Sequence, residues 1–203
     1  MRALYTAGFL LWATGVGYGL MQLWNYENAP GIAASAPATW PDNDLIPRPH
    51  RRPALVVLTH PQCSCSRATI AELERLQAHI EHDVDTYVLM LAPTSARRDW
   101  VRSPLWQKAA AIPGITVVAD RDGRQAARFG AFTSGQALLY DASGALVFSG
   151  GLTASRGHEG DNAGRTAVEW LVRHDRAGVS ATSVFGCALF APAAASATER
   201  VSP

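Results

Sequence analysis

The pattern of apolar and polar positions changes character three times along the chain. Residues 3–23, ALYTAGFLLWATGVGYGLMQL, contain no charged side chain. A helix of that length reaches about 30 Å, enough for the hydrocarbon core of a bilayer, so the run predicts a transmembrane anchor. Residues 24–53 carry prolines at 30, 37, 41, 47, 49 and 53 and no sustained apolar period. They predict a semi-rigid extended spacer. From 54 to 178, short apolar runs alternate with segments of helical period, as in one folded domain. Residues 179–203 are rich in Ala, Ser and Thr; only 184–190 is apolar enough to dock, and the final dozen residues are expected to be disordered.

Within the domain, Ala54 to Thr59 is apolar on consecutive positions and predicts a strand buried on both faces. Ile70, Leu73, Leu76 and Ile80 then recur at helical spacing, with Ser64 or Ser66 available as N-cap. Thr86 to Leu91 reads as a second strand and Arg97 to Ala111 as a helix that Pro104 kinks or restarts. Ile115 to Ala119 is a third strand, closed by the turn Asp120-Arg121-Asp122-Gly123, and a short helix follows to Phe129. Gln136–Tyr140 and Ala145–Ser149, joined by Asp141-Ala142-Ser143-Gly144, predict a hairpin. A Gly-rich loop with Arg156, His158 and Glu159 leads to a last helix from Ala163 to Arg176, with Ala167, Trp170 and Leu171 facing inward and Asp161 or Asn162 as N-cap. The order β-α-β-α-β-α-β-β-α predicts an α/β domain, a mixed central sheet with helices on both faces.

Charge adds little. The net charge of +1 suggests no nucleic-acid partner. Arg2 before the apolar run and Glu27 after it favour a topology with the domain outside. Cleavage at Ala34-Ser35-Ala36 would also export the domain, but that site lies well beyond the apolar run, so an uncleaved anchor is the reading taken. Gly15 and Gly19 form a GxxxG pair, in such helices more often mere small-residue content than a dimer face.

The candidate chemistry is concentrated in His60-Pro61-Gln62-Cys63-Ser64-Cys65-Ser66-Arg67, between the first strand and the first domain helix. A cysteine there lies at the positive end of the helix dipole, which favours thiolate. Cys63 is the expected nucleophile, with Arg67 and His60 as possible positive neighbours and Cys65 as the resolving thiol. Alternatively Cys187 resolves Cys63 and docks the tail. His158 is a candidate proton shuttle; His50, His79, His82 and His174 read as surface residues. No cofactor is required, although Cys63, Cys65 and His158 would also make a soft site for copper.

The element order and the Pro61-x-Cys63 spacing resemble the thioredoxin-like superfamily. The wording HPQCSCSRATIAEL and FGAFTSGQALLYDASGALVFSGGLTASRGHEGDNAGR is similar to membrane-anchored bacterial RedB-type thioredoxin-like proteins. The resemblance implies a thioredoxin-like fold, protein thiols or disulfides as partners, and thiol–disulfide oxidoreductase activity on the periplasmic or other extracytoplasmic side of a membrane. Three features depart from the thioredoxin pattern. Ser66 stands three residues after Cys63, where thioredoxins have their second cysteine. Thr133-Ser134-Gly135 stands where they have a cis-proline, and the first strand lacks their buried acid. A peroxiredoxin-like peroxidase is a further alternative, but His60 occupies the place of that family's threonine.

Overall fold

The computed structural model describes residues 1–42, 45–174 and 178–190. Its elements are α1 (Arg2–Asn28), β1 (Ala54–Thr59), α2 (Ser64–Ile80), β2 (Asp85–Ala92), α3 (Arg98–Val101), α4 (Pro104–Ala110), β3 (Ile115–Arg121), α5 (Arg124–Arg128), β4 (Gln136–Tyr140), β5 (Leu146–Gly151) and α6 (Ala163–His174). The order is the expected one. Pro104 starts α4 behind an N-cap at Ser103, which splits the expected single helix in two. The Asp120–Gly123 segment is a turn, with Asp122 held at positive φ and accepting hydrogen bonds from the Thr94 amide and hydroxyl.

The five strands form one sheet in the order β3-β2-β1-β4-β5. β1, β2 and β3 run parallel, because helical crossovers join them. β4 is antiparallel to both β1 and β5, and the tight Asp141–Gly144 turn joins the last pair. Asp141 Oδ1 accepts from the Ser143 and Ala145 amides, and Gly144 takes the positive φ that closes the turn. Parallel β1–β2 beside the antiparallel hairpin, with α2 and α6 on one face and α5 on the other, is the thioredoxin-like arrangement.

β1 is central, and all six of its residues are buried. Leu55 and Val57 face a core shared with Ile70, Leu73 and Leu76 of α2 and Val168 of α6. Ala54, Val56 and Leu58 face a second core containing Trp40, Phe129 and Tyr140. Because the two faces of β1 are both covered, its sequence is apolar from Ala54 to Leu58 rather than alternating.

Several expectations are corrected. Residues 24–53 do not form a free spacer. Trp40 packs edge-on against Phe129 and Tyr140, Ile46 is buried, and Tyr140 donates a hydrogen bond to the Pro37 carbonyl. The Trp40 amide bonds the Gly144 carbonyl and the Ser35 amide that of Gly130. Among the described residues the short α5 is the one helix on the second sheet face, and its apolar area is completed by this N-terminal segment and by Leu189 and Phe190. The anchor is also unsupported: among the described residues no helix is long and apolar enough to cross a membrane. The 27 residues of α1 supply the length, so the deficit is in apolarity. Glycines 8, 15, 17 and 19, Thr6, Thr14 and Gln22 dilute the leucines, and lack of charge does not compensate. Trp170, expected inside, is 51% exposed; Val168 takes its place in the core. The expected end of the last helix at Arg176 and the expected disorder of the final dozen residues lie outside the described residues.

Candidate functional site

The site forms where the C-terminal end of β1 turns into α2. The Cys63 amide bonds the His60 carbonyl and the Ser66 amide bonds the Cys63 carbonyl. Cys63 itself, not Ser64 or Ser66, is the N-cap of α2, with extended backbone at φ −83° and ψ 125°. Its sulfur therefore lies at the helix N-terminus, where free N–H groups favour an anion.

A second chain segment closes over this turn. Residues 184–189 lie along the loop before β4, with an antiparallel bridge between Thr133 and Ala188. The Ser134 amide donates to the Cys187 carbonyl and the Leu189 amide to that of Phe132, each at 2.8 Å. This pairing brings Cys187 Sγ to 2.8 Å from Cys63 Sγ, 124 residues away in sequence. Ser134, in place of a proline, fixes the loop from below. Its hydroxyl accepts from the His60 amide at 2.9 Å and shares a 2.6 Å hydrogen bond with the Ser66 hydroxyl.

The three thiols differ in acidity. Burial alone would raise the Cys63 pKa, but the Cys187 side chain and amide, and then the Ser66 amide and hydroxyl, hydrogen-bond its sulfur and hold it below the ordinary thiol value. Burial raises Cys65, and the charge of Cys63 and a hydrogen bond given to it raise it further. Cys187 is pushed up to about 12, first by burial and then by donating to Cys63 and facing its charge. The positive charge of Arg156 opposes both increases. Cys63 is therefore the most acidic of the three thiols, and the one whose thiolate its surroundings favour.

Arg67 lies near Cys63, whereas His158 stands apart from the cysteines. Arg67 is exposed and, with Pro61, Gln62, Pro104 and Lys108, lines a cavity of about 360 Å³ that reaches Cys63. His60 is not a cation partner: burial lowers its pKa, its Nδ1 accepts from the Gln62 amide, and its ring packs edge-on against Trp100. His158 is exposed, and among the described residues no hydrogen bond or ion pair joins it to a cysteine. Its loop is held instead by fully buried Glu72, which accepts from the Gly160 amide at 2.8 Å and pairs with Arg165 and Arg75. Among the described residues no cluster of three His, Cys, Asp or Glu side chains could hold a metal ion, so the Cys63, Cys65 and His158 set is not assembled.

Three contributors escape a reading of the sequence: Ser66, Ser134 and Arg156, whose Nη1 donates to the Gly186 carbonyl at 2.6 Å. Ser66 and Ser134 carry a sequence signal, since they stand at the places of the missing second cysteine and of the missing cis-proline.

No protein-family model matches the chain, and no curated protein does. Among solved structures it is similar to a hypothetical protein from Sinorhizobium meliloti, at 14% identity and TM-score 0.59, over 78% of this chain and 97% of that one. An uncharacterized conserved protein from Geobacillus kaustophilus matches at 16% identity and TM-score 0.58, over 83% and 95%. The pneumococcal exposed lipoprotein thioredoxin of Streptococcus pneumoniae matches more loosely, at 14% identity and TM-score 0.45, over 60% and 84%. These likenesses concern the fold.

Proposed function

We propose that this protein is a thiol–disulfide oxidoreductase acting on protein thiols or disulfides through Cys63. One observation carries the reading: the Cys63 sulfur sits at a helix N-terminus, with its pKa held down, 2.8 Å from the sulfur of Cys187. The Cys63 thiolate attacks a partner disulfide, and one partner sulfur leaves as thiolate and takes up a proton. The mixed disulfide is then cleaved when a second thiol of this chain attacks the Cys63 sulfur. Capture of Cys63 removes its negative charge, so that contribution to the raised pKa of Cys65 and Cys187 disappears while Arg156 still favours their thiolates. The resolving thiols are thereby activated only after the first step.

The C-x-C spacing makes Cys65 one candidate for the second step. The direct sulfur contact favours Cys187. A Cys63–Cys187 disulfide persists in an oxidising compartment, so an extracytoplasmic, periplasmic location is proposed with the chemistry. The narrower kinship with RedB-type proteins is likewise proposed, on the wording of the two segments quoted above.

Reduction of an oxidised protein substrate, followed for the wild type and for Cys63→Ser, Cys65→Ser and Cys187→Ser, tests the reading. Cys63→Ser is expected to abolish turnover, and Cys187→Ser to accumulate a mixed disulfide at Cys63. Undiminished turnover in Cys63→Ser would sink the assignment.

A further inference from the structure

Residues 184–189 have the features of a bound peptide. The segment pairs backbone to backbone with Phe132 and Ser134 and is pinned on both sides of its cysteine. Val184 and Leu189 are buried, at 3% and 4% exposure, whereas Cys187 between them is exposed. The Gly31 amide bonds the Val184 carbonyl and Arg156 that of Gly186. Gly186 is tightly constrained: a Cβ there would fall 1.9 Å from the Ser134 carbonyl oxygen.

Building on the exchange reading above, we infer that the 184–189 strap occupies the docking edge of the partner. The partner presents an extended, cysteine-bearing polypeptide segment that pairs with Phe132–Ser134 after the strap lifts. Such strand addition draws affinity from main-chain hydrogen bonds and selectivity from alternate side chains. The strap specifies the preferred sequence: glycine immediately before the cysteine, because Ser134 leaves no room for a Cβ, and an apolar residue two positions after it, where Leu189 is buried.

The same device completes the reaction. With the strap lifted, the Cys63 thiolate attacks the partner's disulfide, forming the Cys63–partner bond and releasing the other partner sulfur as a thiol. The strap then returns, and Cys187 attacks the Cys63 sulfur. A Cys63–Cys187 disulfide forms and the partner leaves as its second thiol. Two electrons and two protons pass from the two cysteines to the partner, and a dithiol reductant restores them. Redocking of the strap thus both resolves the intermediate and expels the product.

The test uses the reduced full-length chain. Heptapeptides VFGCALF and VFACALF, each carrying thionitrobenzoate on its cysteine, are compared with oxidised glutathione, and modification at Cys63 is mapped by mass. Because only the open fraction binds the peptide, loosening the strap with Leu189→Ser or Val184→Ser should raise the peptide-to-glutathione rate ratio about tenfold. The glycine peptide should outpace the alanine peptide by at least about tenfold on the wild type, a comparison that needs no variant to fold. Equal rates for the two peptides, or an unchanged ratio in folded strap variants, overturns the docking inference. If Cys63 still reacts with oxidised glutathione in that case, the exchange reading stands; if Cys63 reacts with neither reagent, both fall.

Discussion

Replacing Cys187 with alanine tests how the structure sets the reactivity of Cys63. The substitution removes the S–H donor 2.8 Å from the Cys63 sulfur but keeps the Cys187 amide, which also lowers the thiol pKa. A hydrogen bond to a charged group contributes about 1.5–3 kcal/mol, and a thiol is a weak donor, so the lower end applies. At about 1.4 kcal/mol per pKa unit, Cys63 should titrate roughly one unit higher in the variant. Below both pKa values the thiolate fraction falls about tenfold, while the more basic thiolate is about threefold more nucleophilic, so exchange slows about threefold. Above both values the thiolate is fully formed in each protein, and the variant is about threefold faster. The assay is the initial rate of Cys63 exchange with a small symmetrical disulfide across pH, quenched in acid and mapped by mass. The two pH–rate curves must cross. Uncovering Cys63 by itself would raise both limbs together, so parallel curves with a common midpoint would refute the hydrogen-bond argument.

Two predictions concern the parts that hold the site. Trp40→Ala should cost about 3–5 kcal/mol in urea unfolding, because the indole fills the core between Phe129 and Tyr140; an unchanged midpoint would mean that residues 24–53 are free after all. Glu72→Ala strips the acceptor from the Gly160 amide and leaves Arg165, 20% exposed, with the exposed Asp161 as its remaining ion-pair partner among the described residues. A loss of about 3 kcal/mol is expected from breaking that buried pair, and a change below about 1 kcal/mol would show that the 158–162 loop is held by something else.

The mixed sheet and the position of its reactive turn are legible in the chain because both are local. Ala54–Leu58 is apolar on every position, as suits a central strand covered on both faces, and the Asp141–Gly144 turn marks the hairpin within four residues. A cysteine placed between that strand and a helical period necessarily falls at a helix N-terminus, so Cys63 could be found without coordinates. The role of residues 24–53 could not, because proline spacing describes backbone stiffness and says nothing of where Trp40 finds its partners. The membrane anchor is left unsupported for a related reason. Absence of charge over residues 3–23 is a local property, whereas membrane crossing depends on summed transfer free energy, which four glycines and several polar or aromatic side chains reduce.

What the tertiary structure alone decided is the identity of the sulfur facing Cys63. Spacing pointed to Cys65, two residues away, because sequence proximity is all that a linear pattern measures. Cys187 reaches Cys63 through pairing between its own segment and Phe132–Ser134, and such pairing is chosen by backbone hydrogen bonds and by the burial of Val184 and Leu189. A helix start can be read from a dozen residues, but a contact across 124 residues exists only once the sheet has brought both ends of the chain together.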